Sequence, residues 1–76
     1  TDYTPIDCGL HSGYEVAILR HQELRMSWRS EQGEQVQVLI PKDLETRNGE
    51  EFLVGETIDG ESLRLRLDRI IRAVPL

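Results

Sequence analysis

The chain has 76 residues, with 14 acidic against nine basic side chains and a formal net charge of -5. A domain of this size buries only about 60% of its unfolded surface, which makes a deep enzyme pocket hard to build. The acidic excess disfavours nonspecific attraction to nucleic acid or anionic lipid and favours basic partners. No apolar run approaches the roughly 20 residues that span a bilayer, and Cys8 has no second cysteine to pair with. We therefore expect one domain over residues 1–76, monomeric and cytoplasmic.

The N-terminal segment is predicted to be an extended arm. Residues 1–8 contain Pro5 and show no hydrophobic periodicity, so neither a helix nor a regular strand is indicated there. Ile6 and Cys8 are the apolar side chains that would hold the arm against the core, with Cys8 acting as a small buried hydrophobe.

A short helix is predicted to follow over residues 13–21. Ser12 and Glu15 have the spacing of a capping box, in which each side chain satisfies a backbone donor at the start of a helix. Ile18 lies on the more apolar face of this segment and is expected to cover an open end of the sheet.

The first two strands are predicted to form a hairpin. Residues 23–29 alternate between apolar and polar side chains, which is the period of a strand with one dry face and one wet face. Residues 30–34 contain Gly33, which suits a tight turn, and residues 35–40 then alternate again. Pro41 is expected to end the second strand because it has no backbone donor.

The rest of the chain is predicted to contain a polar loop over residues 42–51 and three more strands. These strands cover residues 52–58, 62–67 and 70–74, and Asp59-Gly60 supplies a hairpin turn between the first two of them. The alternation slips at Asp68, where an aspartate typically accepts hydrogen bonds from turn amides.

The fold class is therefore mainly β with one short N-terminal helix over residues 13–21 and a five-stranded bent sheet over residues 23–74. A small Sm-like barrel matches this layout, and an OB-like barrel is the alternative. The predicted core residues are Leu24, Met26, Trp28, Val36, Val38, Ile40, Phe52, Val54, Leu63, Leu65, Leu67, Ile70 and Val74.

Short motifs along nearly the whole chain resemble the Rof family of Rho-binding antiterminators. They are, in chain order, Tyr3-Thr-Pro-Ile-Asp-Cys8, Glu15 with Ala17, Gly33-Glu34, Asp43-Leu44, and Gly60-Glu61 through Leu65-Arg-Leu-Asp-Arg-Ile70. The resemblance implies a small Sm-like protein that binds the RNA-binding region of the bacterial termination factor Rho and so reduces Rho-dependent transcription termination. Family members carry acidic residues and a tyrosine after the cysteine, where this chain has Gly9 to Ser12.

An acidic face is expected to make the contact, because a surface that competes with RNA for basic side chains should itself be anionic. The candidate partner-binding residues are Asp7, Tyr14, Glu15, Asp43 and Glu45, and Glu50 and Glu51 add to the acidic patch. Direct contact with nucleic acid is not expected in this function.

A single-stranded RNA-binding module of Sm-like or OB-like fold is the alternative function. Four arginines are predicted on the wet side of strands, namely Arg25, Arg29, Arg64 and Arg66. Single-strand binders stack bases on exposed aromatic rings, yet Trp28 and Phe52 are in phase with the predicted core. Only Tyr3 and Tyr14 remain as stacking platforms, which favours the protein-binding function.

No catalytic or cofactor site is predicted. The sequence has no nucleophile paired with a base and no glycine-rich phosphate loop leading into a helix. Cys8, His11 and His21 do not match a standard zinc spacing, and His21 is expected near the helix C-terminus.

Overall fold

The computed structural model describes residues 3–76, so Thr1 and Asp2 of the predicted arm lie outside the described residues. The elements are helix α1 (Cys8–Arg20), strands β1 (Leu24–Ser30), β2 (Gly33–Arg47), β3 (Glu50–Thr57) and β4 (Ser62–Arg66), the 3-10 helix η1 (Leu67–Arg69), and strand β5 (Ile70–Pro75). Within this described part, no helix has the length and apolar character needed to cross a membrane.

The five strands form one antiparallel sheet in the order β4-β3-β2-β1-β5. Strands β1 to β4 follow one another as neighbours, and η1 then returns the chain so that β5 pairs with β1 on its free side. A five-stranded antiparallel sheet with one N-terminal helix fits the predicted small barrel-like fold.

Helix α1 begins earlier than the sequence pattern predicts. Asp7 is the N-cap, and its Oδ2 accepts a hydrogen bond from the Gly9 amide at 2.9 Å. Ser12 therefore lies inside the helix, and the predicted capping box between Ser12 and Glu15 is wrong. The helix ends at His21, which has left-handed backbone (φ 53°) and whose amide caps the last turn, as expected of a helix-end residue.

Strand β2 is much longer than predicted. Pro41 does not end the strand, because it sits at a β-bulge where the register with β3 shifts between Pro41 and Asp43, so its missing donor is tolerated. The strand continues to Arg47 and turns at Asn48-Gly49, where both residues have positive φ. The predicted polar loop over residues 42–51 is therefore wrong, and this segment is a second β-hairpin.

The core face of β2 and β3 is opposite to the predicted one. Leu24 of β1 lies opposite Leu39 of β2, and Leu44 lies opposite Leu53 of β3, so these residues fill the core. Successive strand residues point to opposite faces of the sheet, so the residues that alternate with these leucines point away from the core. Five residues were predicted wrongly for this reason, namely Val36, Val38, Ile40, Phe52 and Val54, and Val74 of β5 likewise lies opposite Arg25 on the outer face.

The other strands confirm the predicted core. Trp28, Leu63, Ile70 and Ile18 are partly buried against the core, as is Ile6 of the arm, whereas Cys8 at the start of α1 is exposed and does not pack as predicted. The buried hydrophobic residues are Tyr14, Ala17, Leu24, Met26, Leu39, Leu53, Leu65 and Leu67. The phase slip after β4 is confirmed as the one-turn helix η1.

Candidate partner-binding surface

A group of polar side chains gathers where α1 crosses β2 and β3. We call it the acidic cluster, and it consists of His11 and Glu15 of α1, Asp43 of β2, and Glu51 of β3. All four line one shallow depression of about 550 Å³, together with the apolar side chains that form its floor and rim. The structure thus brings the predicted residues Glu15 and Asp43 together, although they are far apart in sequence.

His11 joins α1 to β3 within the acidic cluster. Its Nδ1 lies 3.2 Å from Glu15 Oε1, one turn further along α1, and its Nε2 lies 3.0 Å from Glu51 Oε2. The imidazole ring therefore lies between two carboxylates, one on its own helix and one on β3. The contact ties α1 to β3 and fixes the direction of both glutamates.

Asp43 and Glu15 are the most accessible acids of the cluster. Asp43 is exposed, and its Oδ1 accepts a hydrogen bond from the Leu44 amide at 2.8 Å just after the bulge. The Glu15 side chain is 58% exposed despite its contact with His11. Both carboxylates therefore remain available to a cationic partner.

Asp7 and Tyr14 take different positions from these two acids. Asp7 is exposed at the start of α1, where its carboxylate is engaged as the N-cap. Tyr14 is only 7% exposed and packs in the core beneath α1, and burial raises the pKa of its hydroxyl. The structure thus places Tyr14 as a support for the helix, not on the surface with the predicted acids.

Glu45 is separated from the acidic cluster. It lies on the opposite face of β2 from the core residue Leu44, and its Oε1 is 2.9 Å from Arg64 Nε. The Arg64 guanidinium also lies over the Phe52 ring, 6.0 Å from its centroid. Arg64 therefore neutralises Glu45 within an ion pair on the outer face of the sheet.

The arm is fixed by a second polar group near η1. Asp68 accepts hydrogen bonds from the Thr4 amide at 3.0 Å and from Arg66 at 3.0 Å (Nε) and 2.7 Å (Nη2). Burial opposes ionisation of Asp68, but these hydrogen bonds outweigh it and hold its pKa below the usual value. The predicted structural role of Asp68 is confirmed, with the amide supplied by the arm and not by a turn.

Tyr3 connects this arm anchor to the acidic cluster. Its ring lies 5.7 Å from the Arg66 guanidinium, and its hydroxyl is 3.5 Å from Glu51 Oε1. Partial burial and the neighbouring carboxylate of Glu51 raise the pKa of Tyr3 to about 12. The hydroxyl therefore stays protonated and can donate to Glu51 across the physiological range.

Sequence reasoning missed His11 as a member of the site. Its position four residues before Glu15 was a signal, because side chains at that spacing meet on a helix. Residues 3–76 contain no group of three or more His, Cys, Asp or Glu side chains arranged to hold a metal ion.

No protein-family model matches the chain, and no curated protein sequence matches it. Among solved structures, the chain is similar to proteasome accessory factor B/C (PafBC) of Arthrobacter aurescens, with a TM-score of 0.79 and 17% sequence identity. The match covers 97% of this chain but only 12% of the PafBC chain. At this identity the similarity shows a shared fold alone.

Proposed function

We propose that this protein inhibits Rho-dependent transcription termination by covering the RNA-binding surface of Rho with an acidic face. The observation that carries the proposal is the acidic cluster, which brings Glu15 and Asp43 together on an open surface of a chain with net charge -5. The sequence resemblance to the Rof family supplies the identity of the partner.

Charge and accessibility support a competitive mechanism. RNA binding depends on basic side chains that neutralise phosphates, and a fixed array of carboxylates can compete for the same side chains. Glu15 and Glu51 are held in place by His11, so they lose little conformational freedom on binding. Asp7 at the start of the same helix extends the negative surface, whereas Glu45 is excluded because Arg64 already pairs with it.

Direct RNA binding is a second candidate because Arg25 and Arg29 are exposed on β1. The other two arginines of the predicted set are engaged, Arg64 with Glu45 and Arg66 with Asp68. Every aromatic side chain in residues 3–76 is buried or half-buried, so bases would lack the ring platforms that single-strand binders use. These observations favour the protein-binding function.

A filter-retention assay with labelled single-stranded RNA separates the two functions. We expect the protein alone to retain no RNA, and addition of the protein to a Rho–RNA complex to release the RNA. Release should weaken as salt is raised, because exposed charge pairs are screened beyond roughly 8 Å at physiological ionic strength. RNA retained by the protein alone would favour the second candidate, and unchanged Rho–RNA retention would contradict the inhibitor function.

A pair of charge reversals tests the surface itself. Glu15→Lys combined with Asp43→Lys should weaken Rho binding by about tenfold or more, because attraction at the contact becomes repulsion. The control combines Glu31→Lys with Asp59→Lys, which changes net charge equally at two exposed turn positions. Equal loss in both variants would show that net charge, and not the acidic cluster, controls binding.

A further inference from the structure

A second surface lies on the other side of α1, between the helix and strand β5. It is a groove of about 430 Å³, within the size range of ligand-binding pockets. Three of the large hydrophobic side chains that remain exposed line it, namely Leu10 (55%), Val16 (44%) and Ile71 (46%). Tyr14 and Ala17 close its floor from the buried face of α1.

Small residues keep this groove open. Gly9 and Gly13 are one helical turn apart on its α1 side, and a Cβ atom added at Gly13 would meet no atom within 4 Å. On the opposite side lies β5, which is one of the two edge strands of the sheet and pairs with β1 only. An edge strand leaves alternate N–H and C=O groups without a sheet partner, and an extended chain can add to them.

The charges at the groove differ from those of the rest of the molecule. Arg20 of α1 and Arg72 of β5 both line it, and no acidic side chain does. Neither arginine forms an ion pair with another residue in 3–76. The groove therefore combines an apolar floor, a free strand edge and two available cations in a protein of net charge -5.

We propose that this groove binds an extended peptide segment of alternating apolar and acidic residues, which pairs with the β5 edge. The apolar side chains of the segment would fill the groove, and its carboxylates, on the opposite face of the added strand, would meet Arg72, while Arg20 adds positive potential from α1. Pro75 lacks a backbone donor and limits the pairing at the end of β5. The groove and the acidic cluster lie on different sides of α1, so this binding is independent of the proposed contact with Rho.

The test uses a fluorescein-labelled peptide of alternating valine and glutamate with six residues, the length of β5. Fluorescence anisotropy should show tighter binding of this peptide than of a matched valine–lysine peptide. A preference for glutamate cannot come from net charge, because the protein is itself negative. Methylation of alternate peptide amides on the pairing side should abolish binding, since it removes the donors that β pairing requires.

Two variants locate the peptide. Gly13→Leu fills the groove from the open position on α1 and should abolish binding, with thermal unfolding confirming that the variant is folded. Arg72→Glu should weaken binding of the glutamate peptide by about tenfold, or 1.4 kcal/mol, and should strengthen binding of the lysine peptide. Arg29→Glu is the control, because it makes the same charge change on β1 away from the groove.

Amide chemical shifts show which surface of the protein the peptide contacts. Peptide-induced shifts at Ile71 and Gly13, with none at Asp43 and Thr46, would support the proposal. It would be overturned by no binding at the solubility limit of the peptide, by equal binding of the methylated peptide, or by shifts confined to the acidic cluster. Concentration-dependent shifts at Gly13 without peptide would also overturn it, because a second copy of the chain would then occupy the groove.

Discussion

The two sides of α1 meet the sheet in different ways. On the side of the acidic cluster, His11 reaches Glu51 of β3 at 3.0 Å and fixes the helix by a polar contact. On the groove side, Gly9 and Gly13 have no side chains to fill the space between α1 and β5, so an open groove with a mainly apolar lining remains. One helix can therefore present two unlike surfaces, and both depend on the buried side chains beneath it. Changes to the shared support should affect both sides, whereas changes to one side should leave the other intact.

The largest expected effect comes from Tyr14→Ala, which removes the shared support. Tyr14 is buried beneath α1, and truncation of a large buried aromatic ring costs about 3 kcal/mol of unfolding free energy. Urea denaturation should show this loss. Leu19→Ala on the same helix is the control, because Leu19 is 80% exposed and its truncation should have little effect. Similar losses in both variants would mean that α1 does not pack on the sheet through Tyr14.

Asp68→Asn should have the next largest effect, because it releases the arm that precedes α1 and contacts Glu51 of the acidic cluster. The substitution removes the charge that accepts hydrogen bonds from Arg66 and the Thr4 amide, at a cost of about 2 kcal/mol near neutral pH. The Asp68 side chain is only 10% exposed, so solvent screens the contact weakly. Urea unfolding of the variant at pH 7 measures the loss.

The same residue gives a pH test. Because the pKa of Asp68 is lowered on folding, its contribution is fully present above the ordinary value of 3.8 and is lost as pH falls through the lowered pKa. The gap in stability between the native protein and Asp68→Asn should therefore narrow below about pH 4. Asp59→Asn, at an exposed turn, is the control for the charge change and should alter stability little at pH 7.

Asp7→Ala should have a smaller effect, concentrated at the start of α1. Loss of an N-cap side chain costs about 1 kcal/mol, and the helix should fray where it contributes to both the groove and the negative surface. Ser12→Ala is the matched control, since Ser12 lies inside the helix. Far-ultraviolet circular dichroism and urea unfolding measure both variants. A larger loss for Ser12→Ala would contradict the observed start of α1.

This pair of substitutions also shows why sequence reasoning placed the helix start too late. Ser12 and Glu15 have the sequence spacing of a capping box, whereas Asp7 is followed by Gly9 and Gly13, and glycine is a poor helix former. Packing of Tyr14 and Ala17 on the core extends the helix through these glycines, and a local pattern does not contain that contribution.

The strands also differ in how well the sequence pattern predicts which of their residues face the core. In β4, leucines alternate with arginines, so only one face can be apolar, and the core residues Leu65 of β4 and Leu67 at the start of η1 were predicted correctly. In β2 and β3, apolar residues occur at consecutive positions, as in 38–40 and 52–54, and either parity could face the core. The choice depends on which side chains meet across the sheet, and a single strand does not specify it.

The acidic cluster was partly predictable. The resemblance to the Rof family together with the negative charge suggested Glu15 and Asp43, and their juxtaposition follows from β2 continuing past Pro41 into the second hairpin. Glu45 stands apart from Glu15 because it forms an ion pair with Arg64 on the outer face of the sheet, an arrangement that the predicted loop over residues 42–51 concealed. The groove between α1 and β5 was not predicted, because it forms between elements that are distant in sequence.

Gly13→Ala should have the smallest effect, and it should change the groove side alone. A glycine inside a helix destabilises it by about 0.5–1 kcal/mol relative to alanine, and the new methyl group would meet no atom within 4 Å. The variant should therefore be more stable by that amount, with unchanged shifts at Asp43 and Thr46. Gly9→Ala is the matched control, because its methyl group would lie 2.8 Å from the capping Oδ2 of Asp7 and should lose the gain. Equal stabilisation by both substitutions would contradict the role of Asp7 as the N-cap, since only an engaged carboxylate makes the two glycines differ.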